Sequence, residues 1–142
     1  MNDEQAIREV EERIRTAIGA GDVNGIVNCY IADESLVVFD DVLPLKIAGG
    51  AGWRKTWQEA FTLMPGKWDV GLKEMGVTCG GDVGFTWSIV QISVANPNGP
   101  NVDGTFRLTQ GYRKIGGRWL VTHSHLSLPL DPQTWTAVFN AT

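Results

Sequence analysis

The chain has 142 residues, with 12 Lys and Arg against 16 Asp and Glu for a formal charge of −4, and it carries six Trp and 17 Gly. One domain spanning residues 1–142 is expected at this length, and the acidic balance argues against a nucleic-acid partner recruited by long-range attraction. No apolar run approaches the roughly 20 residues of a membrane span, the start Met1-Asn2-Asp3-Glu4-Gln5 lacks a signal-peptide pattern, and Cys29 and Cys79 imply no disulfide framework, so a soluble cytoplasmic protein is the expectation.

The first segment reads as an amphipathic helix. Ile7, Val10, Ile14, Ala17 and Ile18 recur at helical spacing, with Glu9/Arg13 and Glu11/Arg15 as charge pairs on the solvated side. Gly19 and Gly21 stop it, and Asp22 caps a second short helix carrying Val23, Ile26, Val27 and Tyr30. Ser35–Asp40 reads as a strand, followed by a loop through Pro44. A third helix is expected from Gly50 to Met64, ended by Pro65, with Trp53, Trp57, Ala60, Phe61 and Met64 on one stripe.

From Trp68 the period changes to two. Trp68, Val70 and Leu72 share one parity and Met75, Val77 and Cys79 the other, a slip near Lys73-Glu74 that predicts a β-bulge. Beyond the turn Gly80-Gly81-Asp82, Val83–Val94 is a long strand whose apolar parity also changes midway. Ala95–Asn101 is a loop. Val102–Ile115 and Arg118–Leu128 are strands joined at Gly116-Gly117, a hairpin signal. Pro129 ends the sheet, and Asp131-Pro132 is expected to cap a final short helix carrying Trp135, Val138 and Phe139. Helices and one early strand followed by a long antiparallel meander define an α+β fold.

The segment Ala20-Gly21-Asp22-Val23-Asn24-Gly25-Ile26-Val27, followed by Tyr30 and Ala32-Asp33, resembles the helix-turn-helix opening of the ketosteroid isomerase and SnoaL-like polyketide cyclase group. The ending, Gly117-Arg118-Trp119-Leu120-Val121-Thr122-His123-Ser124-His125-Leu126-Ser127, is similar to the last strand of many SnoaL-like proteins. In element order and length the resemblance covers nearly the whole chain. It implies the NTF2-like fold: a cone-shaped barrel in which three N-terminal helices pack on a strongly curved, mostly antiparallel sheet around a deep apolar pocket. The group holds isomerases, cyclases, dehydratases, epoxide hydrolases and non-catalytic association domains, so the fold leaves function open. The chain departs from the steroid isomerases. Their first-helix tyrosine corresponds to Ile14 and their protonated aspartate to Gln110, while their base falls near Phe39-Asp40, which argues against steroid isomerisation. The Asp-Arg-Asp pattern of limonene epoxide hydrolase has no counterpart.

Asp40 shares the parity of Leu36 and Val38, so its carboxylate projects where apolar neighbours project, a setting that raises a pKa toward that of a general base. A solvated loop carboxylate is the other reading. His123 and His125, the only histidines, lie two apart on a strand and so on one face, expected to be that of Trp119 and Val121. They either transfer protons or shape a pocket through hydrogen bonds. With Asp40 they make a thin ligand set, and no metal and no cofactor are expected. Trp53 and Trp57, one turn apart, are either core or a flat wall for an aromatic ligand, and Trp87, alternating with Phe85 and Ile89, invites the same two readings. Tyr30 and Gln110 are candidate donors to a substrate oxygen.

The expected function is a small-molecule pocket protein. As an enzyme it would act without a cofactor, moving a proton next to a carbonyl of an apolar or polyketide-like substrate in an isomerisation, cyclisation or dehydration. Asp40 would be the base, with His123/His125 as proton shuttle and Gln110 or Tyr30 assisting. The alternative is a non-catalytic ligand-binding or association domain. A homodimer is expected, because the sheet has an outer face that the helices leave uncovered.

Overall fold

The protein is described by a computed structural model covering residues 1–142. Helix α1 spans Asp3–Gly19 and opens with a capping box: Asn2 Oδ1 accepts from the Gln5 amide at 2.8 Å, and Gln5 Oε1 accepts from the Asn2 amide at 3.2 Å. Ile7, Val10, Ile14, Ala17 and Ile18 form its buried stripe as their spacing predicts. The expected pairs Glu9/Arg13 and Glu11/Arg15 do not form; the ion pair within this helix is Glu4–Arg8 at 3.2 Å. Glu11 instead lies in the buried stripe, only 1% exposed.

Helix α2, Val23–Val27, is capped by Asp22, whose carboxylate accepts from the Gly25 amide at 3.0 Å. Strand β1 is shorter than expected, Val37–Phe39, and a two-residue strand β2, Ile47–Ala48, between the expected loop and helix, pairs with it. Helix α3 is Gly50–Leu63, followed by β3 (Trp68–Gly80), β4 (Val83–Val94), β5 (Val102–Ile115) and β6 (Arg118–Ser127). The helices pack on one six-stranded sheet of order β2-β1-β6-β5-β4-β3, in which only the β1–β6 pair is parallel. The largest apolar cluster, 16 buried residues, fills the space between the helices and the inner face of the sheet. No helix is long and apolar enough to cross a membrane.

Three local features decide which side chains face inward. In β3 the register slips between Leu72 and Glu74, the bulge that the change of apolar parity predicts. Strand β4 pairs with β5 without a slip from Val83↔Arg113 to Val94↔Val102, so it never changes face. Its inward residues simply turn from polar, Thr86 and Ser88, to apolar, Val90 and Val94, while Phe85 and Trp87 stay outside. In β6, Tyr112 pairs with Val121 but Gly111 with His123, which makes Thr122 an extra residue. Trp119 and Val121 before it and Ser124 after it are all buried. A one-residue insertion inverts every later side chain, and that is why the histidines do not share the face of Trp119 and Val121.

The β5–β6 hairpin turns at Gly116 and Gly117 with φ of 57° and 79°, the left-handed pair that a two-residue turn of the I′ kind needs. The expected final helix does not form. Asp131 Oδ1 accepts from the Gln133 amide at 2.8 Å and the Asp131 amide donates to the Thr136 carbonyl at 2.9 Å, closing a turn that brings Leu130 opposite Ala137. Trp135 is left 75% exposed, while Phe139 meets Phe106 edge-on with ring centroids 6.1 Å apart.

Candidate functional site

A cavity of about 230 Å³ lies between α1, α3 and the inner face of the sheet. Its walls are mostly apolar: Ile14 and Ile18 come from α1, Trp53 and Trp57 from α3, and Val90, Phe106 and Leu108 from the sheet. For scale, an engineered cavity of about 150 Å³ takes up benzene. The present one suits a substituted single ring or a compact pair of rings.

A buried polar network marks its deep end. The Glu11 carboxylate accepts from the Thr86 hydroxyl at 3.1 Å and from the Tyr112 hydroxyl. Gln110, 1% exposed, completes the set in the amide orientation that satisfies all its neighbours. Its Nε2 then donates to Glu11 and, at 3.1 Å, to Tyr112, while its Oε1 accepts from Ser124 at 3.0 Å and Tyr30 at 3.2 Å. Burial raises the pKa of Glu11, opposed by the hydrogen bonds from Tyr112 and Thr86 and by the charge of Arg15, which also lines the cavity. Burial and the Glu11 charge together hold the phenols of Tyr30 and Tyr112 protonated. Both phenols therefore stay protonated throughout the neutral range.

A pair of carboxylates marks the other end. Asp40 and Asp41 both line the cavity where the chain leaves β1. The Asp40 carboxylate accepts from the Asp41 amide at 3.0 Å, which fixes its position. Lost solvation, then the adjacent Asp40 carboxyl, push Asp41 up to about 7. Asp41 is an exposed residue at the cavity rim.

The cavity therefore gathers Asp40, Tyr30, Trp53, Trp57 and Gln110 from the residues expected at a site. It does not gather His123, His125 or Trp87. Both imidazoles meet Phe39 edge-on, with ring centroids 5.0 and 5.4 Å away, on the outer face of the sheet. His123 Nδ1 donates to the Val37 carbonyl at 2.7 Å, so that nitrogen carries hydrogen. Trp87 lies outside, 45% exposed, its ring so close over Gly76 that a Cβ there would fall 2.3 Å from its Nε1. The expected convergence of Asp40 with the histidines is thus absent, and the Thr122 bulge is the reason. No group of three or more His, Cys, Asp and Glu side chains is placed to hold a metal ion.

The sequence reading missed Glu11, Asp41, Tyr112 and Thr86. For Glu11 the signal was present: it lies four residues after Ile7 and three before Ile14, inside the apolar stripe rather than opposite it.

This sheet, these helices and the pocket between them define a protein of the NTF2-like superfamily. The family model described as a SnoaL-like domain matches residues 7–131, and the chain belongs to that family. Among solved structures it is similar to an NTF2-like protein of unknown function from Pseudomonas putida, with 27% identity, a TM-score of 0.86, and 100% of this chain and 99% of that one covered. A protein from Streptomyces avermitilis, provisionally described as a dehydratase of the NTF2-like family, aligns at 15% identity and TM-score 0.81 over 91% and 98% of the two chains. A ketosteroid isomerase-like protein from Erwinia carotovora aligns at 18% identity and TM-score 0.74 over 89% and 97%. No curated protein sequence matches the chain.

Proposed function

We propose that the cavity binds a compact, mostly apolar carbonyl compound and that the Asp40–Asp41 pair removes a proton from the carbon next to the carbonyl, without a cofactor. The placement of two adjacent carboxylates on the wall of an apolar cavity, one of them titrating at about 7, carries this reading. A base of that pKa is free at neutral pH yet strong enough to take a proton in the transition state. The Tyr30 hydroxyl, which donates to Gln110 Oε1 at 3.2 Å, redirects that bond to an oxygen that gains charge as the C–H bond breaks. Returning the proton at another carbon gives an isomerisation; loss of a β-hydroxyl as water gives a dehydration.

The second reading, a ligand-binding module, draws on the same geometry. The floor groups all have partners among themselves, and the histidines stand outside the cavity. Deuterium exchange separates the two. Aromatic ketones such as 2-tetralone are incubated with the protein in heavy water and the α-protons followed by NMR. Exchange above the buffer rate that Asp41→Asn abolishes supports the enzyme; tight binding with exchange at the buffer rate supports the module.

A further inference from the structure

The Gln110 amide stands between two pairs of groups, all within hydrogen-bond reach. On one side are the Glu11 carboxyl and the Tyr112 hydroxyl; on the other are the hydroxyls of Tyr30 and Ser124, two residues of the cavity lining. With Glu11 ionised, the amide nitrogen faces the carboxylate, and Tyr30 and Ser124 donate to Gln110 Oε1 at 3.2 and 3.0 Å. A half-turn of the amide exchanges its oxygen and nitrogen in nearly the same space. Oε1 then lies 3.1 Å from Glu11 Oε2 and 3.1 Å from the Tyr112 hydroxyl, while Nε2 donates to Tyr30 at 3.2 Å and Ser124 at 3.0 Å. An amide oxygen and a carboxylate oxygen are both acceptors, so this second arrangement needs a hydrogen on Glu11. As a carboxylic acid Glu11 donates from Oε2 to the amide, and its Oε1 still accepts from Thr86 at 3.1 Å. The groups of this network are bonded in both arrangements, with one difference: in the second, the hydroxyl protons of Tyr30 and Ser124 have no acceptor in the protein.

We infer that Glu11 and Gln110 are positioning residues for the ligand's oxygen: a proton taken up by Glu11 turns the Gln110 amide over and frees the Tyr30 and Ser124 hydroxyls to donate to that oxygen. The network thus has two settings. With Glu11 ionised, both hydroxyl protons are held by Gln110; with Glu11 protonated, they are released. A carbonyl oxygen only accepts hydrogen bonds, so it fits the second setting better and draws a proton from solvent onto Glu11. Burial favours the neutral form of Glu11 and so brings the second setting within reach. The groups that act on this proton are Arg15 on the same helix, Tyr112 from β5, and Cys29 and Tyr30 from the segment after α2. Thr86 of β4 and Ser124 of β6 complete the network with neutral hydroxyls. This inference rests on the reading that the Tyr30 hydroxyl meets the ligand's oxygen, but not on removal of a proton from the ligand.

Its test follows two probes of one shape, 2-tetralone and the hydrocarbon tetralin, by calorimetry between about pH 5 and 9. The ratio of ketone to hydrocarbon affinity is expected to fall as pH rises, approaching tenfold per unit above the midpoint of Glu11, because the fraction of protein in the donating setting falls by that factor. Tetralin offers no oxygen, so changes elsewhere in the cavity cancel in the ratio. Glu11→Gln puts an amide where the carboxylic acid stood, able to donate to Gln110 Oε1 and to accept from Thr86 at every pH. In that variant the ratio is expected to stay high and flat. Asp41→Asn is expected to keep the wild-type slope, and a slope lost there but kept in Glu11→Gln assigns the proton to the rim and overturns the inference. A second measurement needs no variant. In the ligand-free protein, the Gln110 side-chain amide protons are expected to exchange nuclear Overhauser contacts with the Tyr112 ring for contacts with the Tyr30 ring as pH is lowered from about 9 to 4. Contacts that stay with Tyr112 throughout, or a wild-type affinity ratio independent of pH, overturn the inference while the cavity still binds ketones. Failure of both probes to bind overturns the ligand-site reading itself, and the inference with it.

Discussion

Tyr112 on β5 donates its hydroxyl to the carboxylate of Glu11 on α1, joining residues 101 positions apart at the floor of the cavity. Thr86 and Gln110 bond the same carboxylate, so one side chain ties the first helix to the two central strands of the meander. Burial drives its pKa up while these donors hold it down.

Glu11→Leu removes an acceptor from three buried donors and is expected to destabilise the fold by about 2–5 kcal/mol. Glu11→Gln keeps an acceptor and carries no charge. Because the folded pKa of Glu11 lies above its ordinary 4.5, the native state binds more protons than the unfolded state as pH rises past that value. Wild-type stability therefore falls relative to Glu11→Gln from about pH 4.5 upward, and the two converge below it. Thermal melts of both proteins between pH 4 and 8 check the sign; parallel curves contradict it.

Asp41→Asn is expected to lower ketone α-proton exchange by about 10²–10⁴-fold, the usual contribution of a general base. In the wild type the exchange rate rises with pH through about 7, as Asp41 loses its proton. Asp40→Asn removes the neighbouring charge that helps to hold Asp41 up, so its midpoint moves to lower pH. A midpoint that stays in place in Asp40→Asn separates the two carboxylates.

His123→Gln and His125→Gln are expected to leave ketone affinity and exchange unchanged, since both rings lie against Phe39 outside the cavity. His123→Gln also loses the bond to the Val37 carbonyl, at a cost of about 1 kcal/mol. A large drop in exchange with unchanged stability in either variant would put the histidines back in the reaction.

Phe85 and Trp87 leave an apolar patch on the outer face, 47% and 45% exposed, beside the His125 row through Thr109. We propose that a second copy of the chain covers it. Light scattering at micromolar concentration is expected to give a dimer, and Trp87→Glu a monomer. A monomeric wild type refutes this.

The segment after Leu130 holds on through Phe139, whose carbonyl accepts from the Thr105 amide at 2.7 Å and whose ring meets Phe106 on the cavity wall. Phe139 is 45% exposed, so Phe139→Ala is expected to lower stability by about 1–2 kcal/mol, below the 3–5 of a fully buried ring. An unchanged melting point contradicts the docking.

Helix positions and the long meander were legible because local spacing decides them: the stripe of α1, the bulge at Leu72/Glu74 and the Gly116-Gly117 turn are each written within a few residues. Facing was harder. Gln110 shares the parity of Phe106 and Leu108, and no slip interrupts β5 between them, so all three line the cavity. The same reasoning failed for His123 and His125, since the extra residue Thr122 is fixed by pairing with Gly111 and Tyr112 on another strand. The polarity of Thr86 looked like a change of face because its partner, Glu11, lies 75 positions away. The capping preference of Asp131-Pro132 lost to a turn closed through Thr136.

The bulge at Thr122 also works as a phase setting for the end of β6. With Thr122 taken into the pairing instead of bulged, an alternation unbroken after Val121 would carry both imidazoles inward and Ser124 and Leu126 outward. The cavity would exchange a hydroxyl and an alkyl wall for two imidazoles. On this scaffold the pairing of one residue, with no change in the side chains that β6 carries, decides between a histidine-free pocket and a histidine-bearing one.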